Sequence, residues 1–550
     1  MHGRVKRKEG ELDKNLLELT GKVLSSNPDI YTLWNIRREI LIILKKGDES
    51  EEEMSQLYDA ELQLTEYCLK INPKSYCAWH QREWVLTTRA NPNWEKELSL
   101  CNMYLKFDER NFHTWDYRRF VVSQCKPPLK DEFDFTTDKL MDNFSNYSAW
   151  HYRSKMLVEL YPDVEGGRPI EDSHHKHELK MVQSAAFTDP DDTSAWFYQR
   201  WLLGAVKTNI EVAVYTVSPL KTTVAFSKPV NQAYVASKIR LFINNNLVNG
   251  EWQSCSGNQY DVLWIFKHNT EVTDSLDVKD KKSTSLAKWS QVRLPCNVGL
   301  GFDSRVVKRI TGYFSVFENF SVVARSLELC PMEYDNENGH IQTIPGIKQN
   351  GNTYVGKGEI DFQRKYSKPV IEELINQLDS CRQLLAMEPD NKWTLLTTTV
   401  FLHCIDAKQY HKEIIENLHT LKTIDSWRAG YYDDLITKWS LEDQLAIDYK
   451  SDSIDFKVKF DDKITSLPHL QYYSHCENVD LSNQNLSSNV LASLELLQNC
   501  KKLSLVNNQL TTLQRFPNLN LEELNLTGNN DLDQEELEVF KKNCNYSVIF

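Results

Sequence analysis

Apolar and polar positions follow three successive rhythms along this chain. Over the first two hundred residues, apolar side chains recur three and four apart, the spacing of a helix with one buried face. In WEKELSLCNMYLKF, for example, Leu98, Cys101, Met103 and Leu105 give a mostly apolar face. From residue 210 the rhythm shortens to partial alternation in β-branched and aromatic stretches. These are VAVYTVSPLKTTVAF, SKIRLFINNNLVNGEWQ, YDVLWIFKH, KWSQVRLPC and YFSVFENFSVVARSLEL, broken by the turn-rich NNNLVNG and SGNQ. Such short strands predict an immunoglobulin-like β-sandwich. A polar, Gly-rich linker, MEYDNENGHIQTIPGIKQNGNTYVGKG, leads back to helical spacing, where Ile371, Leu374, Ile375 and Leu378 share a face. The strands thus read as an insertion into one helical domain.

The end of the chain has a third, shorter period. VDLSNQNL, KKLSLVNNQL and LEELNLTGNN repeat Leu481, then Leu503, Leu505 and Asn508, then Leu524, Leu526 and Asn529. A weaker copy, FKVKFDDKITSL, carries Val458 and Phe460. This is the pattern of leucine-rich repeats, a short strand followed by an Asn whose amide satisfies backbone in the turn. The expected architecture is multidomain and mainly α: helical repeats in 1–209, the sandwich in 210–345, linker and helical repeats in 346–450, and leucine-rich repeats in 451–550.

Within the first region one unit recurs with Trp and Arg three apart. The copies are NPDIYTLWNIR (Trp34, Arg37), NPKSYCAWHQR (Trp79, Arg82), DERNFHTWDYR (Trp115, Arg118) and NFSNYSAWHYR (Trp150, Arg153). In a fifth, DPDDTSAWFYQR, Trp196 and Arg200 are four apart, and a weak sixth, EPDNKWTLL around Trp393, has no Arg at the matching place. Asn or Asp followed by Pro caps and opens a helix. Trp and Arg at this spacing share a helix face. The Trp is expected to pack between helices and the Arg to bridge to carbonyls or carboxylates of the next repeat. Successive tryptophans lie 45, 36, 35 and 46 residues apart, room for two helices and their loops. The prediction is a right-handed stack of helical hairpins, a solenoid with a concave binding surface.

Charge narrows the functions. Lys plus Arg is 64 against 77 Asp plus Glu, a net charge of −13 over 550 residues. That disfavours nucleic acid as a partner and leaves acidic patches for basic proteins. No apolar run reaches the ~18 residues of a membrane span, so no membrane insertion is expected. The opening MHGRVKRKEGELDK has no apolar core of a secretory signal. The 12 Cys include no CxxC spacing and read as reduced thiols of a cytoplasmic protein, Cys255 and Cys296 among them. HHKH, with only His174 and His177 on one face, reads as a polar loop or helix start.

The five units resemble the repeat of protein prenyltransferase α subunits, over residues 15 to 208 and 365 to 445. An inserted immunoglobulin-like domain, C-terminal leucine-rich repeats and the opening MHGR resemble, within that family, the type II or Rab geranylgeranyltransferase α subunits. The resemblance implies a crescent of hairpins around a β subunit, an α-α barrel that supplies the catalytic zinc and most of the lipid pocket. It implies transfer of geranylgeranyl from geranylgeranyl diphosphate to C-terminal cysteines of Rab GTPases presented by a Rab escort protein. It further implies that Lys74 reaches the prenyl diphosphate, where an ammonium neutralises charge on the leaving oxygen. Tyr76 is then its neighbour in the site. Arg110 and Phe112 fill the corresponding places of the next repeat, Arg110 as either a second phosphate contact or part of a subunit-interface ion pair. His2 would be an autoinhibitory ligand of the β-subunit zinc, although MHGRVKRKEGELDKNLLEL passes to the first repeat without the charged helix the family has there. The alternative is a non-catalytic helical-repeat, leucine-rich adaptor. Lys74 in its intact NPKSYCAW context favours the enzyme.

Overall fold

The computed structural model describes residues 12–164, 168–206, 210–218, 221–239, 242–243, 246–247, 250–268, 346–348, 354–358 and 360–550. The chain divides into two compact units, residues 1–164 with 169–202, and residues 165–168 with 203–550.

The first unit is built of paired helices: α1 (Lys14–Leu24) with α2 (Tyr31–Lys46), α3 (Glu51–Ile71) with α4 (Tyr76–Thr88), α5 (Trp94–Phe107) with α6 (Phe112–Cys125), α7 (Leu129–Asp142) with α8 (Tyr147–Leu160), and α9 (Asp172–Thr188) with α10 (Thr193–Gly204). Every hairpin turn uses the same chemistry. Asn27, Asn72, Asp108, Asn143 and Asp189 each accept, on the side-chain oxygen, the backbone N–H two residues on. These Asx turns reverse the chain without regular structure. Ser75, Asn111 and Asn146 then cap α4, α6 and α8.

The tryptophans hold the turns from within. Trp34, Trp79, Trp115, Trp150 and Trp196 each donate the indole N–H to the carbonyl six residues back, at 2.7–2.9 Å. All five are buried. A buried indole N–H needs a partner, and the turn supplies one at a fixed separation, so turn and Trp recur together.

The arginines join successive hairpins. Arg82 donates to both oxygens of Glu97 at 2.7 Å, Arg118 to Glu132 at 2.9 and 2.6 Å, and Arg153 to Glu178 at 2.7 and 2.6 Å. Arg37 holds Glu61 in the same way. Each Glu lies on the first helix of the following hairpin. The remaining guanidinium nitrogen turns back to the arginine's own hairpin: Arg82 to the Leu62 carbonyl and Thr65, Arg153 to Thr136 and Thr137, Arg118 to Asn102. Burial works against the Arg82 and Arg153 cations, but their carboxylates more than offset it and raise both pKa values. In the fifth copy the position three after the tryptophan holds buried Gln199, which is why Arg200 falls one place later.

The second unit opens with an antiparallel sheet of order β5-β6-β2-β1-β8-β7, formed by β1 (Val212–Val217), β2 (Lys221–Asn231), β5 (Gly250–Ser254), β6 (Tyr260–His268), β7 (Gly346–Lys348) and β8 (Tyr354–Lys357). β3 (Phe242–Ile243) pairs with β4 (Asn246–Leu247), and α11 (Gln232–Lys238) follows β2. Tyr215, Val224, Phe226, Trp252, Trp264 and Phe266 make a core with Val235 and Ile239, while Val214, Ala225, Leu263 and Val355 join the core of the C-terminal repeats. The strands expected over 288–296 and 313–329 lie outside the described residues, as does Cys296. Cys255 is a free thiol that donates to the Glu495 carbonyl at 3.2 Å, its pKa pushed up to about 12 by burial.

Helices α12 (Lys368–Met387), α13 (Lys392–Asp406), α14 (His411–Ile424) and α15 (Ala429–Asp448) come next. The chain ends on a parallel sheet of β9 (Asp455–Lys457), β10 (Asn478–Asp480), β11 (Lys502–Ser504), β12 (Glu523–Asn525) and β13 (Ser547–Ile549), with α16 (Gln534–Asn543) before the last strand. Phe456, Val479, Leu503, Leu524 and Val548 are in register across it. Buried Asn508 donates to the Leu481 and Leu505 carbonyls and accepts the Leu486 N–H. Asn529 repeats this with Leu505, Leu526 and Leu510. Among the described residues no helix is long and apolar enough to cross a membrane.

Candidate functional site

The second, third and fourth turns of the first unit leave apolar residues exposed on both sides of the loop. Tyr31, Tyr76, Phe112 and Tyr147 are the first residues of α2, α4, α6 and α8, and all are exposed. Ile71, Phe107 and Met141, at the ends of α3, α5 and α7, are exposed too. The Asx turn fixes the helix start, so the residue after the cap projects outward in each copy.

Lys74 lies in this rim. Its backbone N–H closes the turn on Asn72 at 3.0 Å, and its side chain is 65% exposed. Its ammonium lies 3.9 Å from the Asp108 carboxylate on the next turn. Tyr76 meets the edge of the His113 ring at 4.2 Å, and Phe112 lies 6.2 Å from Tyr76. His113 is buried under these two rings. Burial lowers its pKa, the Lys74 ammonium lowers it further and Asp116 works against both, so the imidazole is neutral at pH 7. The cluster therefore presents one cation and one phenol on an aromatic base, all facing outward. Such a group suits an anionic ligand held from one side.

Lys74 and Tyr76 stand two residues apart on one turn, and both act on His113, Tyr76 by ring contact and Lys74 through its charge. Arg110 is at the same loop as Asp108, but what touches Asp108 is its backbone N–H, at 3.3 Å, and its side chain is exposed. His2 lies outside the described residues. HHKH begins α9: His174 stacks on Tyr161 at 3.5 Å and pairs with Glu171, and buried His175 hydrogen-bonds the Leu202 carbonyl at 3.0 Å. Among the described residues no group of three or more His, Cys, Asp or Glu is arranged to hold a metal. Two members of the cluster, Asp108 and His113, were not expected from sequence. Superposing DERNFHTW on NPKSYCAW would have placed them, since stacked copies bring equivalent loop positions side by side.

The hairpins with their Trp–Arg joints define a class. The repeat family described as protein prenyltransferase alpha subunit repeat matches residues 13–44, 58–89, 94–125, 129–160 and 175–206, the five pairs α1/α2 to α9/α10. Similarity then extends along nearly the whole chain. The geranylgeranyl transferase type-2 subunit alpha of Sus scrofa is 35% identical over 533 residues, which is 95% of this chain and 85% of that relative. That of Homo sapiens is 35% identical over 537 residues, 96% and 86%. A plant relative, geranylgeranyl transferase type-2 subunit alpha 2 of Arabidopsis thaliana, is 27% identical over 90% of this chain and 76% of its own length. The chain belongs to the geranylgeranyl transferase type-2 α-subunit family. A solved structure of Candida albicans protein geranylgeranyltransferase-I complexed with GGPP aligns at a TM-score of only 0.29, with 22% identity over 36% of this chain and 62% of that one.

Proposed function

We propose that this chain is the α subunit of a heterodimer that transfers geranylgeranyl from geranylgeranyl diphosphate to C-terminal cysteines of Rab GTPases presented by an escort protein, in the cytoplasm. The family membership supports the assignment to a prenyltransferase with a β-subunit partner. The observation that carries the residue assignment is Lys74, an outward-facing ammonium beside Tyr76 on an exposed aromatic rim. In the proposed site Lys74 neutralises charge on the diphosphate as it leaves, and the Tyr76 hydroxyl donates to a phosphate oxygen. Arg110, one hairpin on, is a second candidate cation. Zinc is assigned mainly to the β subunit, as membership of the prenyltransferase α-subunit family implies. The same apolar rim suits a large protein partner. The sheets of the second unit are proposed to be an immunoglobulin-like domain, expected over 210–345 but drawing β7 and β8 from the segment read as linker, and leucine-rich repeats over 451–550.

The test is single-turnover transfer of labelled geranylgeranyl to a Rab with escort protein present, by the chain co-expressed with its β subunit. Lys74→Ala is expected to slow transfer by about a hundredfold while the heterodimer persists in gel filtration. Normal transfer in that variant would move the role to Arg110. No heterodimer and no transfer from the unaltered chain would favour the adaptor.

A further inference from the structure

At each step of the array, the turn of one hairpin touches the turn of the next. Asn72 donates to Asp29 at 2.9 Å, Asn143 to Glu109 at 2.9 Å, and Ser145 to Asp192 at 2.7 Å. Between the second and third hairpins the same contact is an ion pair, Lys74 with Asp108 at 3.9 Å. Its two members are held differently. Asp108 is fixed by its own turn, since one oxygen accepts the Arg110 N–H and its backbone N–H donates to the Tyr104 carbonyl at 3.0 Å. Lys74 carries its charge at the end of a flexible four-carbon arm.

We propose that Asp108 is a positioning residue for Lys74, holding the ammonium at the rim and competing for it with the diphosphate. This rests on the diphosphate role of Lys74 proposed above. An arriving diphosphate brings more negative charge than the single carboxylate and draws the ammonium away. Once the prenyl group has been transferred, Asp108 takes the ammonium back and the inorganic diphosphate leaves more readily. Asp108 thus opposes ground-state binding of the anion and favours its release.

The experiment compares inhibition by inorganic diphosphate, with kcat and KM for geranylgeranyl diphosphate, in four heterodimers: unaltered, Asp108→Asn, Lys74→Ala and the double variant. Asparagine closes the same Asx turn at positions 72 and 143, so Asp108→Asn keeps the loop. The Asn variant is expected to tighten diphosphate inhibition about fivefold, the size of an exposed ion pair, and to lower KM and kcat together. In the Lys74→Ala background the same change is expected to do nothing. Inhibition that is unchanged or weaker in Asp108→Asn, or tightened equally without Lys74, overturns the proposal. If Lys74→Ala weakens diphosphate inhibition but Asp108→Asn has no effect, Lys74 keeps its role and Asp108 has none. If Lys74→Ala leaves inhibition and transfer intact, the diphosphate reading itself falls.

Discussion

Tyr117 donates its hydroxyl at 2.7 Å to Glu97, the carboxylate that Arg82 grips from the preceding hairpin. Tyr152 does the same for Glu132 at 3.2 Å and Tyr198 for Glu178 at 2.6 Å, while Gln81 stands in the tyrosine's place on Glu61. Burial, then the adjoining carboxylate, pushes the Tyr117 and Tyr198 hydroxyls well above their ordinary range, so both stay protonated donors. Each joint therefore ties four helices through one buried charge pair.

Breaking a joint at different members separates its terms. Glu97→Ala leaves the Arg82 cation buried without its carboxylate, and about 3–5 kcal/mol of stability is expected to go. Tyr117→Phe removes one hydrogen bond and is expected to cost about 1 kcal/mol. Urea unfolding followed by circular dichroism gives both values. A Glu97→Ala loss no larger than that of Tyr117→Phe would show that the pair is not what holds the hairpins together.

Tyr76 is 68% exposed, so its role in the fold is small. Tyr76→Ala is expected to cost at most about 1 kcal/mol, the worth of its edge contact with His113. Transfer by the heterodimer is expected to fall about tenfold or more, the scale of a positioned donor. A variant equally stable and equally active would remove Tyr76 from the site.

His475 sets a pH dependence. It is 4% exposed, and burial, reinforced by the Lys357 ammonium, pushes its pKa down to about 3. The unfolded chain takes up a proton near pH 6.5 and the folded chain does not. Stability from this residue is thus constant above pH 6.5 and is lost as pH falls toward 3, by about 1.4 kcal/mol per unit. Between pH 6.5 and 5 that is about 2 kcal/mol. His475→Asn is expected to flatten this part of the curve. Parallel curves for the two proteins would contradict it.

Gly528 is irreplaceable for two reasons. Its φ of +80° is left-handed, and a Cβ there would lie 2.0 Å from the Asn507 side-chain oxygen. Asn507 donates to Asn483 at 2.8 Å, so the clash would also disturb the ladder between turns. Gly528→Ala is expected to cost about 2 kcal/mol or more in thermal or urea unfolding. Asn508→Ala, which strands two carbonyls and one N–H, is expected to cost about as much. An unchanged melting point for either would show that the turns relax.

What the sequence revealed depended on how local the chemistry is. Trp and Arg three apart lie on one helix face by helical geometry alone, and Asn508 and Asn529 bond within their own and the adjacent turn, so both patterns were legible. The carboxylate partners were not. Glu61, Glu97, Glu132 and Glu178 stand 24, 15, 14 and 25 residues from their arginines, and glutamates on helices are usually solvated. Their burial is a product of stacking that no single repeat displays. Lys74 and Tyr76 were singled out through their motif. Asp108 and His113 needed the neighbouring loop, which comes beside them only when the hairpins pack.

The direction of the arginine joints gives the array a polarity in synthesis. Arg82 finds Leu62 and Thr65 within its own hairpin, but its carboxylate comes on a helix translated later. A nascent chain leaving the ribosome N-terminus first thus carries, at its newest hairpin, a guanidinium awaiting the next segment. Each glutamate, by contrast, also has a partner within its own hairpin, Tyr117, Tyr152 or Tyr198, or Gln81 for Glu61. After the fifth hairpin the sequence passes to β1, and neutral Gln199 occupies the position of the waiting cation. The order of translation and the order in which charges are neutralised therefore coincide, and the series of cationic joints stops at a neutral residue.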